Sequence, residues 1–403
     1  MASPLLYEPE RHEPLASAPW DQGAARAWIE SFAGDAHRAY SRTGLWPPHP
    51  RDVDDGEHRH PMTMIYFGAA GVIWALDHLA RAGAAAPTSN FTPTLDELLA
   101  RNLAIVEPWG HGVEGLLMGQ SGILLLRYRL APDDATADAI AASIARNADH
   151  PSLELLWGSP STMHVALTMH EWTGDPRWAT LFLADAQALE RSLLSSGDAP
   201  CRIWTQQLYG QTVNYIGAGH GFAGNASALV RGFALLPAAS AASLQSAIVD
   251  TVHATALREG VVANWPPRLS GTAPTKMLVQ WCHGSPGIVT SLAHLPDPRL
   301  DDVLVAAGEL TWSAGPLSKG PGLCHGTAGN GYTFLKLFKR TGDKLWLDRA
   351  RSFAMHSMAQ SDRHFSEYGQ RRYSLWTGDA GVAWYVWNCI TGDDALPNLD
   401  PIA

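Results

Sequence analysis

The sequence predicts an all-α protein, an (α/α)7 toroid built from seven inner and seven outer helices. Two observations support this prediction. A Gly-x-x-Gly motif followed by an apolar helical stretch recurs seven times along the chain. Amphipathic segments typical of surface helices lie between the copies, whereas strand signals are sparse. Closing seven such hairpins into a ring hides the apolar ends that an open solenoid would have to cap.

The inner helices are predicted to begin at the Gly-x-x-Gly turns, because glycine permits positive φ and close helix packing. The third copy is degenerate, with Ser161 in place of its second glycine. Two of the helices are expected to end at Gly174 and Gly342, each within a Thr-Gly-Asp triplet. The first glycines of the seven copies are Gly68, Gly119, Gly158, Gly221, Gly284, Gly326 and Gly378.

The outer helices are predicted from apolar residues at helical spacing between the turns. Uneven spacing of the repeats indicates loop insertions rather than separate domains, and we expect these insertions at 41–62 and 196–216. The chain is therefore predicted to be a single domain, 1–403, with an N-terminal arm of about 20 residues. The segments that show the outer-helix pattern are 24–41, 94–106, 134–148, 178–195, 243–257 and 344–359.

The composition excludes several classes of protein. A net charge of -10 argues against nucleic acid and anionic membranes as partners. The sequence has no apolar run long enough to span a membrane and no recognisable secretory signal. The four cysteines are too few for a disulfide framework, so we expect a cytoplasmic protein in which paired cysteines indicate a metal.

Aligning the repeats brings together residues that bind metals. His220, His283 and His325 each precede the first glycine of their repeat, and Cys282 and Cys324 lie one residue earlier in the fifth and sixth repeats. Two thiolates and imidazole at one rim predict a zinc site. The alignment alone leaves open which histidine completes it, and a redox cysteine pair is the alternative. Isolated Cys201 and Cys389 are predicted to fill the core.

Three segments carry a family resemblance. GAGHGFAG at 217–224, WCHGSPG at 281–287 and GLCHGTAGN at 322–330 resemble the lanthionine synthetase C-like family in sequence and order. The resemblance implies that Cys282, Cys324 and His325 bind zinc, with water or a substrate thiol as the fourth ligand. It also implies an acid/base role for His220.

Three further residues are assigned by the same resemblance. Glu154 stands where the bacterial cyclases usually carry Asp. We expect it to orient or charge His220 or to help remove the thiol proton, although a solvated carboxylate or a helix-end charge is an equal alternative. Lys319 resembles a lysine near the glutathione or phosphopeptide site of eukaryotic members. His283 replaces the Tyr of the bacterial cyclases, as in the eukaryotic branch, and is expected to face the substrate.

The resemblance implies zinc-dependent addition of a thiol to dehydroalanine or dehydrobutyrine, which forms a thioether. The thiol is either a cysteine of the same peptide or glutathione, and WCHG favours the second. The partners are then a peptide or protein with dehydroamino acids and glutathione. The alternative is a non-catalytic zinc-containing module that binds a peptide or glutathione. A toroid glycosidase would need paired carboxylates at the rim, which offers mainly His and Cys.

Overall fold

The computed structural model describes residues 6–52, 61–87, 89–195, 201–269 and 276–402. In this part of the chain fourteen α-helices alternate between two positions, one after each Gly-x-x-Gly turn and one between turns. The inner helices are α2 (Ala69–Arg81), α4 (Ser121–Leu130), α6 (Ser159–Thr173), α8 (Phe222–Arg231), α10 (Ser285–Leu292), α12 (Thr327–Thr341) and α14 (Asp379–Thr391). The outer helices are α1 (Gln22–Ala39), α3 (Thr92–Val106), α5 (Asp134–Asn147), α7 (Pro176–Arg191), α9 (Ala238–Thr255), α11 (Asp301–Ala314) and α13 (Lys344–Tyr368).

The inner helices form a closed ring. Each inner helix contacts the next one along the chain, and α14 returns to contact α2. The outer helix α1 packs against α14 and so covers the point of closure. The predicted all-α toroid is therefore confirmed.

Burial separates the two layers. Helix α2 is buried along almost its whole surface, as is α14, whereas α13 buries only one stripe of residues. A helix that is apolar all round belongs inside a large core, and an amphipathic helix belongs at its surface. Most buried hydrophobic side chains join one large cluster that runs from α1 to the C-terminal segment, and a small second cluster contains Leu6, Val279, Leu310 and Ala314.

The helix ends at the Thr-Gly-Asp triplets match the sequence prediction. Gly174 and Gly342 adopt left-handed conformations, with φ of 68° and 73°. The side chains of Asp175 and Asp343 then cap the following outer helices by accepting from Arg177 N and Leu345 N. Each triplet therefore ends an inner helix and starts an outer one.

The expected reason for the Gly-x-x-Gly glycines is only partly correct. Among the seven first glycines, all within the described ranges, only Gly284 has a positive φ, of 108°. Close packing, the other expected reason, holds at both glycines of the motif: a Cβ on Gly326 would lie 2.4 Å from Gly322 N, and one on Gly329 would lie 1.7 Å from the carbonyl oxygen of Leu323. In the degenerate copy, Ser161 Oγ donates to Gly158 O at 2.7 Å and accepts from Leu116 N at 3.2 Å.

Two outer helices differ from the prediction. Helix α13 continues to Tyr368, beyond the predicted end at 359. No sequence segment is named for α11, because its apolar residues run without a break from Val303 to Ala307 and obscure the helical spacing at which its buried residues recur. Both helices nevertheless occupy the outer layer.

Within the described ranges, three antiparallel strand pairs interrupt the helical pattern. They pair β1 (Leu194–Ser195) with β2 (Arg202–Ile203), β3 (Gln206–Leu208) with β4 (Gln211–Val213), and β5 (Leu257–Glu259) with β6 (Val262–Asn264). The predicted insertion at 196–216 contains β2, β3 and β4, and its residues 196–200 lie outside the described ranges. The insertion at 41–62 contains a 3-10 turn at Pro50–Asp52, and its residues 53–60 also lie outside the described ranges.

The N-terminal segment up to Asp21 contains no α-helix in its described part, residues 6–21. It contacts the toroid through side chains: Arg11 Nη2 donates to Gln280 Oε1 at 3.1 Å, and Glu13 accepts from Gln360 at 3.0 Å. None of the described helices combines the length and the hydrophobicity needed to cross a membrane.

Candidate metal centre

Backbone hydrogen bonds join the repeats along one rim. In each repeat the residue two positions before the first glycine occupies the same place, and amide and carbonyl groups of these residues pair between neighbouring repeats. Cys282 and Cys324 are two of them, so the pairing sets their side chains next to each other. The bonds are Gly219 N to Cys282 O (3.1 Å), Cys282 N to Cys324 O (3.4 Å), Cys324 N to Trp376 O (2.9 Å), Trp376 N to Tyr66 O (2.8 Å) and Tyr66 N to Leu117 O (2.9 Å).

The geometry of Cys282, Cys324 and His325 fits a metal ion. One ligand atom from each lies within 4.8 Å of the others. Cys324 Sγ lies 3.6 Å from His325 Nε2. Tetrahedral zinc, with Zn–S of about 2.3 Å and Zn–N of about 2.0 Å, separates sulfur and nitrogen ligands by about 3.6 Å. The residues therefore need little adjustment to bind zinc.

The two thiols differ in acidity. Burial would raise the pKa of Cys282, but its hydrogen bond with Cys324 and the imidazoles of His325 and His283 hold that pKa well below its ordinary value. Burial and the negative charge of Cys282 together raise the pKa of Cys324 well above its ordinary value. Both sulfurs can therefore be ionised together only when a cation lies between them.

Two side chains support the cysteines. Gln280 Nε2 donates to Cys282 Sγ at 2.9 Å, and Arg11 holds the other end of this amide. The hydroxyl of Tyr66 lies beside Cys324, and burial together with that thiol raises the pKa of Tyr66 well above its ordinary value. Sequence reasoning missed both residues, although the repeat alignment puts Tyr66 in the same register as the cysteines.

At the same rim the partly exposed His220 pairs with the buried Glu154. Glu154 is fully buried and its Oε2 lies 2.9 Å from His220 Nδ1. The carboxylate also accepts from the backbone N–H groups of Leu156 at 3.0 Å and Trp157 at 2.6 Å. These contacts show that Glu154 is not a solvated carboxylate. Its bonds to two amides just before α6 also fit the helix-end charge that the sequence left open. With Nδ1 bound, the Nε2 of His220 is the nitrogen left for a substrate.

The pKa of His220 reflects two opposing effects. Burial disfavours the imidazolium ion and lowers the pKa. The hydrogen bond and the charge of Glu154 outweigh burial, so the pKa of His220 lies above its ordinary value. A larger share of His220 is therefore protonated near neutral pH than for a free histidine, which suits a proton donor.

His283 lies between the His220–Glu154 pair and the cluster of Cys282, Cys324 and His325, and it is not one of the three residues of that cluster. Its ring centroid is 6.2 Å from that of His220 and 5.5 Å from that of Tyr215. Burial and the neighbouring imidazoles of His220 and His325 lower the pKa of His283. A neutral imidazole at this place is able to accept a hydrogen bond from a substrate.

Lys319 lies in a pocket of about 390 Å³ that opens beside His325. Arg51 and Arg372 also line this pocket, and sequence reasoning missed both because they lie far from any cysteine motif. Asp52 accepts from Arg372 Nε at 2.9 Å and neutralises part of the charge. Three basic side chains against one carboxylate make this a cationic pocket, defined here by Arg51, Asp52, Tyr66, Lys319, His325 and Arg372.

Comparisons with known proteins agree with the fold and the motifs. The family model described as lanthionine synthetase C-like protein matches residues 51–400. A Danio rerio protein named glutathione S-transferase LANCL1 is 42% identical over 115 residues, or 27% of this chain and 28% of the relative. The Arabidopsis thaliana LanC-like protein GCL1 is 37% identical over 116 residues, which make up 27% of each chain. The matched segments thus span less than a third of these two curated relatives.

Among solved structures, nisin cyclase superposes with a TM-score of 0.61 over 91% of this chain and 94% of its own. The two sequences are 17% identical. At that identity the likeness concerns the fold, and it agrees with the closed helical ring.

Proposed function

Because the chain belongs to the lanthionine synthetase C-like family, we propose that it adds a thiol to the β-carbon of a dehydroalanine or dehydrobutyrine residue, forming a thioether. The observation that carries the proposal is the shared rim, where Cys282, Cys324 and His325 cluster and the His220–Glu154 pair stands in the adjacent repeats. The first group suits thiol activation and the second suits proton transfer.

In this proposal Cys282, Cys324 and His325 hold zinc. The distances among their ligand atoms and the need of two adjacent thiolates for a cation support this assignment. A zinc ion with one open position lowers the pKa of a bound thiol, so that it supplies a thiolate at neutral pH. Gln280 donates to the Cys282 sulfur and offsets part of the negative charge of the ligand set.

His220 completes the reaction as proton donor. The thiolate forms a bond to the β-carbon, and the π electrons move to the α-carbon and its carbonyl as an enolate. The imidazolium of His220 gives the proton from Nε2 to the α-carbon, and the proton released by the thiol restores it. Glu154 holds Nδ1 and stabilises the imidazolium between turnovers. The addition is therefore balanced without an oxidant or reductant.

The cationic pocket supports an anionic thiol donor. Glutathione carries two carboxylates, and Lys319, Arg51 and Arg372 offer the complementary charge beside His325. The Danio rerio relative is named as a glutathione S-transferase, which agrees with this choice. We therefore propose glutathione as the donor in preference to a cysteine of the same peptide, with His283 facing the substrate.

The proposed setting is the cytoplasm, as a single domain acting on peptides or proteins that carry dehydroamino acids. The four cysteines are free and buried, which suits a reducing compartment. The net charge of -10 disfavours nucleic acid as a partner.

The direct test is incubation of the purified protein with zinc, a dehydroalanine peptide and glutathione, followed by mass spectrometry. We expect the peptide to gain one glutathione at a rate well above that of the mixture without protein. Binding of peptide or glutathione without any acceleration would favour the non-catalytic alternative.

A further inference from the structure

The open rim around the metal centre has two unlike flanks. The cationic pocket draws its residues from the sixth, seventh and first repeats. On the other side of the cysteines, rings from the second to the fifth repeats and from the insertion before the fourth form a second surface. We call this surface the aromatic wall, and it consists of His111, Trp157, Tyr209, Tyr215, His220 and His283.

We propose that the aromatic wall binds the peptide segment that carries the dehydroamino acid, and that Tyr209 determines the preference for this substrate. The two substrates then approach from opposite flanks, the anionic thiol from the cationic pocket and the electrophile from the wall. This inference rests on the proposed function and adds to it the place and the class of the second substrate.

Tyr209 is held over the rim by a short hairpin. It occupies the turn between β3 and β4, where Tyr209 and Gly210 have φ of 51° and 72°. A bulky residue is uncommon in this left-handed region, where Asn, Asp or Gly is the usual choice. The hairpin base is fixed, since Gln207 N donates to Pro151 O at 3.1 Å and buried Gln206 accepts from Tyr215 N at 2.9 Å.

The ring of Tyr209 connects with the catalytic histidine and yet stays accessible. It meets the ring of His111 edge-on at 4.8 Å and that of His220 at 5.9 Å. The residue nevertheless remains 53% exposed, and its two ring partners, His111 and His220, are only partly buried. An aromatic ring that is about half exposed offers surface for a second flat group.

The rings of the aromatic wall continue from Tyr209 to His220, the proposed proton donor. His220 lies between Tyr209 and His283, with ring centroids 5.9 Å and 6.2 Å away. A dehydroalanine residue and its flanking amides are planar, and planar groups stack well on aromatic faces. A segment stacked on Tyr209 would therefore bring its α-carbon towards the nitrogen of His220 that does not face Glu154.

Charge separates the two substrates. Among the residues of the wall there is no Lys or Arg, whereas the cationic pocket has three basic side chains. The carboxylates of glutathione therefore prefer the pocket. A peptide segment whose reacting residue is uncharged gains more from the rings.

The test measures the two substrates separately in Tyr209→Ala, Tyr209→Phe and Lys319→Ala. We expect Tyr209→Ala to raise KM for the dehydroalanine peptide about tenfold, the size of one lost aromatic contact, and to leave KM for glutathione unchanged. Tyr209→Phe keeps the ring and should behave as the parent protein. Lys319→Ala should show the opposite pattern, with a higher KM for glutathione alone.

Leu345→Ala is the matched control, because Leu345 is 47% exposed at the start of α13, at the end of the toroid away from the rim. It should change neither KM. Three results would each overturn the proposal. Tyr209→Ala could leave KM for the peptide unchanged or raise KM for glutathione, or Tyr209→Phe and Tyr209→Ala could raise KM for the peptide equally.

Binding of a saturated peptide, with alanine in place of dehydroalanine, keeps the test independent of turnover. Calorimetry should show weaker binding of this peptide to Tyr209→Ala than to the parent protein. If no protein turns over but this difference is found, the proposed function fails and the wall remains a peptide site. Equal binding by both proteins would contradict the wall itself.

Discussion

At the scale of single residues, the metal centre places two buried thiols side by side, and their negative charges repel each other when both are ionised. Cys282 and Cys324 are both buried, and ionisation of one raises the pKa of the other. Both thiols can therefore lose their protons only if a cation is bound between them. The protein supplies only partial compensation, through Gln280 and the imidazoles near Cys282.

The ligand assignment makes a prediction about metal content. Cys282→Ala or Cys324→Ala should lose most of the one zinc per chain that we expect, because three ligands are needed to hold the ion. Cys201→Ala and Cys389→Ala remove equally buried thiols elsewhere and should retain it. Elemental analysis of the four purified variants decides the matter, and full zinc content in both of the first two would contradict the assignment.

His220 is predicted to act on the substrate and not on the metal. His220→Ala should keep its zinc and its helical circular dichroism spectrum, because His220 is outside the group of three ligand atoms. Product formation should fall by about 10²- to 10⁴-fold, the usual contribution of general acid–base catalysis. If the variant loses its zinc instead, His220 is a ligand and its role has to be reassigned.

The Glu154 contact predicts a change in pH dependence. The donor must be protonated, so activity should be lost as pH rises through the raised pKa of His220. Glu154→Gln keeps the shape of the side chain but removes the negative charge, so the pKa of His220 should fall. The alkaline limb of the kcat profile should therefore move to lower pH, and an unmoved limb would show that Glu154 does not set this pKa.

At the scale of the elements, the turns into the inner helices set the positions of the ligands. The backbone at Leu323 packs so closely on the start of α12 that only glycine fits at position 329. Leu323 is followed directly by Cys324, whose amide and carbonyl take part in the hydrogen bonds along the rim. Helix packing and ligand geometry are therefore properties of the same few residues.

A matched pair of glycine variants tests this link. Gly329→Ala should lower the free energy of unfolding by about 1–3 kcal/mol and weaken zinc binding, since the new Cβ must displace the backbone next to Cys324. The control is Gly342→Ala, at the other end of α12. Gly342 has φ of 73° and open space where a Cβ would be added. This substitution should cost about 1 kcal/mol and leave zinc binding unchanged. Denaturant titration and zinc competition measure both quantities, and equal zinc affinities would contradict the link.

Some of these elements could be predicted from the sequence and others could not. The glycine turns predicted seven outer helices and amphipathic periods located six of them. The seventh, α11, was not located because an unbroken apolar run at 303–307 obscures its helical spacing. The hairpin that carries Tyr209 was expected only as a loop insertion, since a Tyr-Gly turn lacks the Asn or Asp that normally indicates such a turn. The alignment of repeats found the cysteines and His220, whereas Arg51 and Arg372 reach the site only through the folded chain.

At the scale of the whole molecule, closure of the helical ring brings the first and last repeats together and so forms the cationic pocket. Residues far apart in sequence meet because α14 contacts α2, and the rim hydrogen bonds continue from Trp376 to Tyr66 across this closure. The cationic pocket exists only in the closed ring, since it combines residues from both ends of the chain. Its position beside His325, with the aromatic wall on the opposite flank, supports a reaction between two different substrates.

The most direct measurement of the proposed activity is the stereochemistry of the glutathione adduct formed in D₂O. Uncatalysed addition protonates the enolate from either face, whereas a proton from His220 arrives from one. We predict that the protein with zinc gives a thioether with one deuterium at the α-carbon in a single configuration, faster than the mixture without protein. A mixture of configurations formed at the uncatalysed rate would contradict the account.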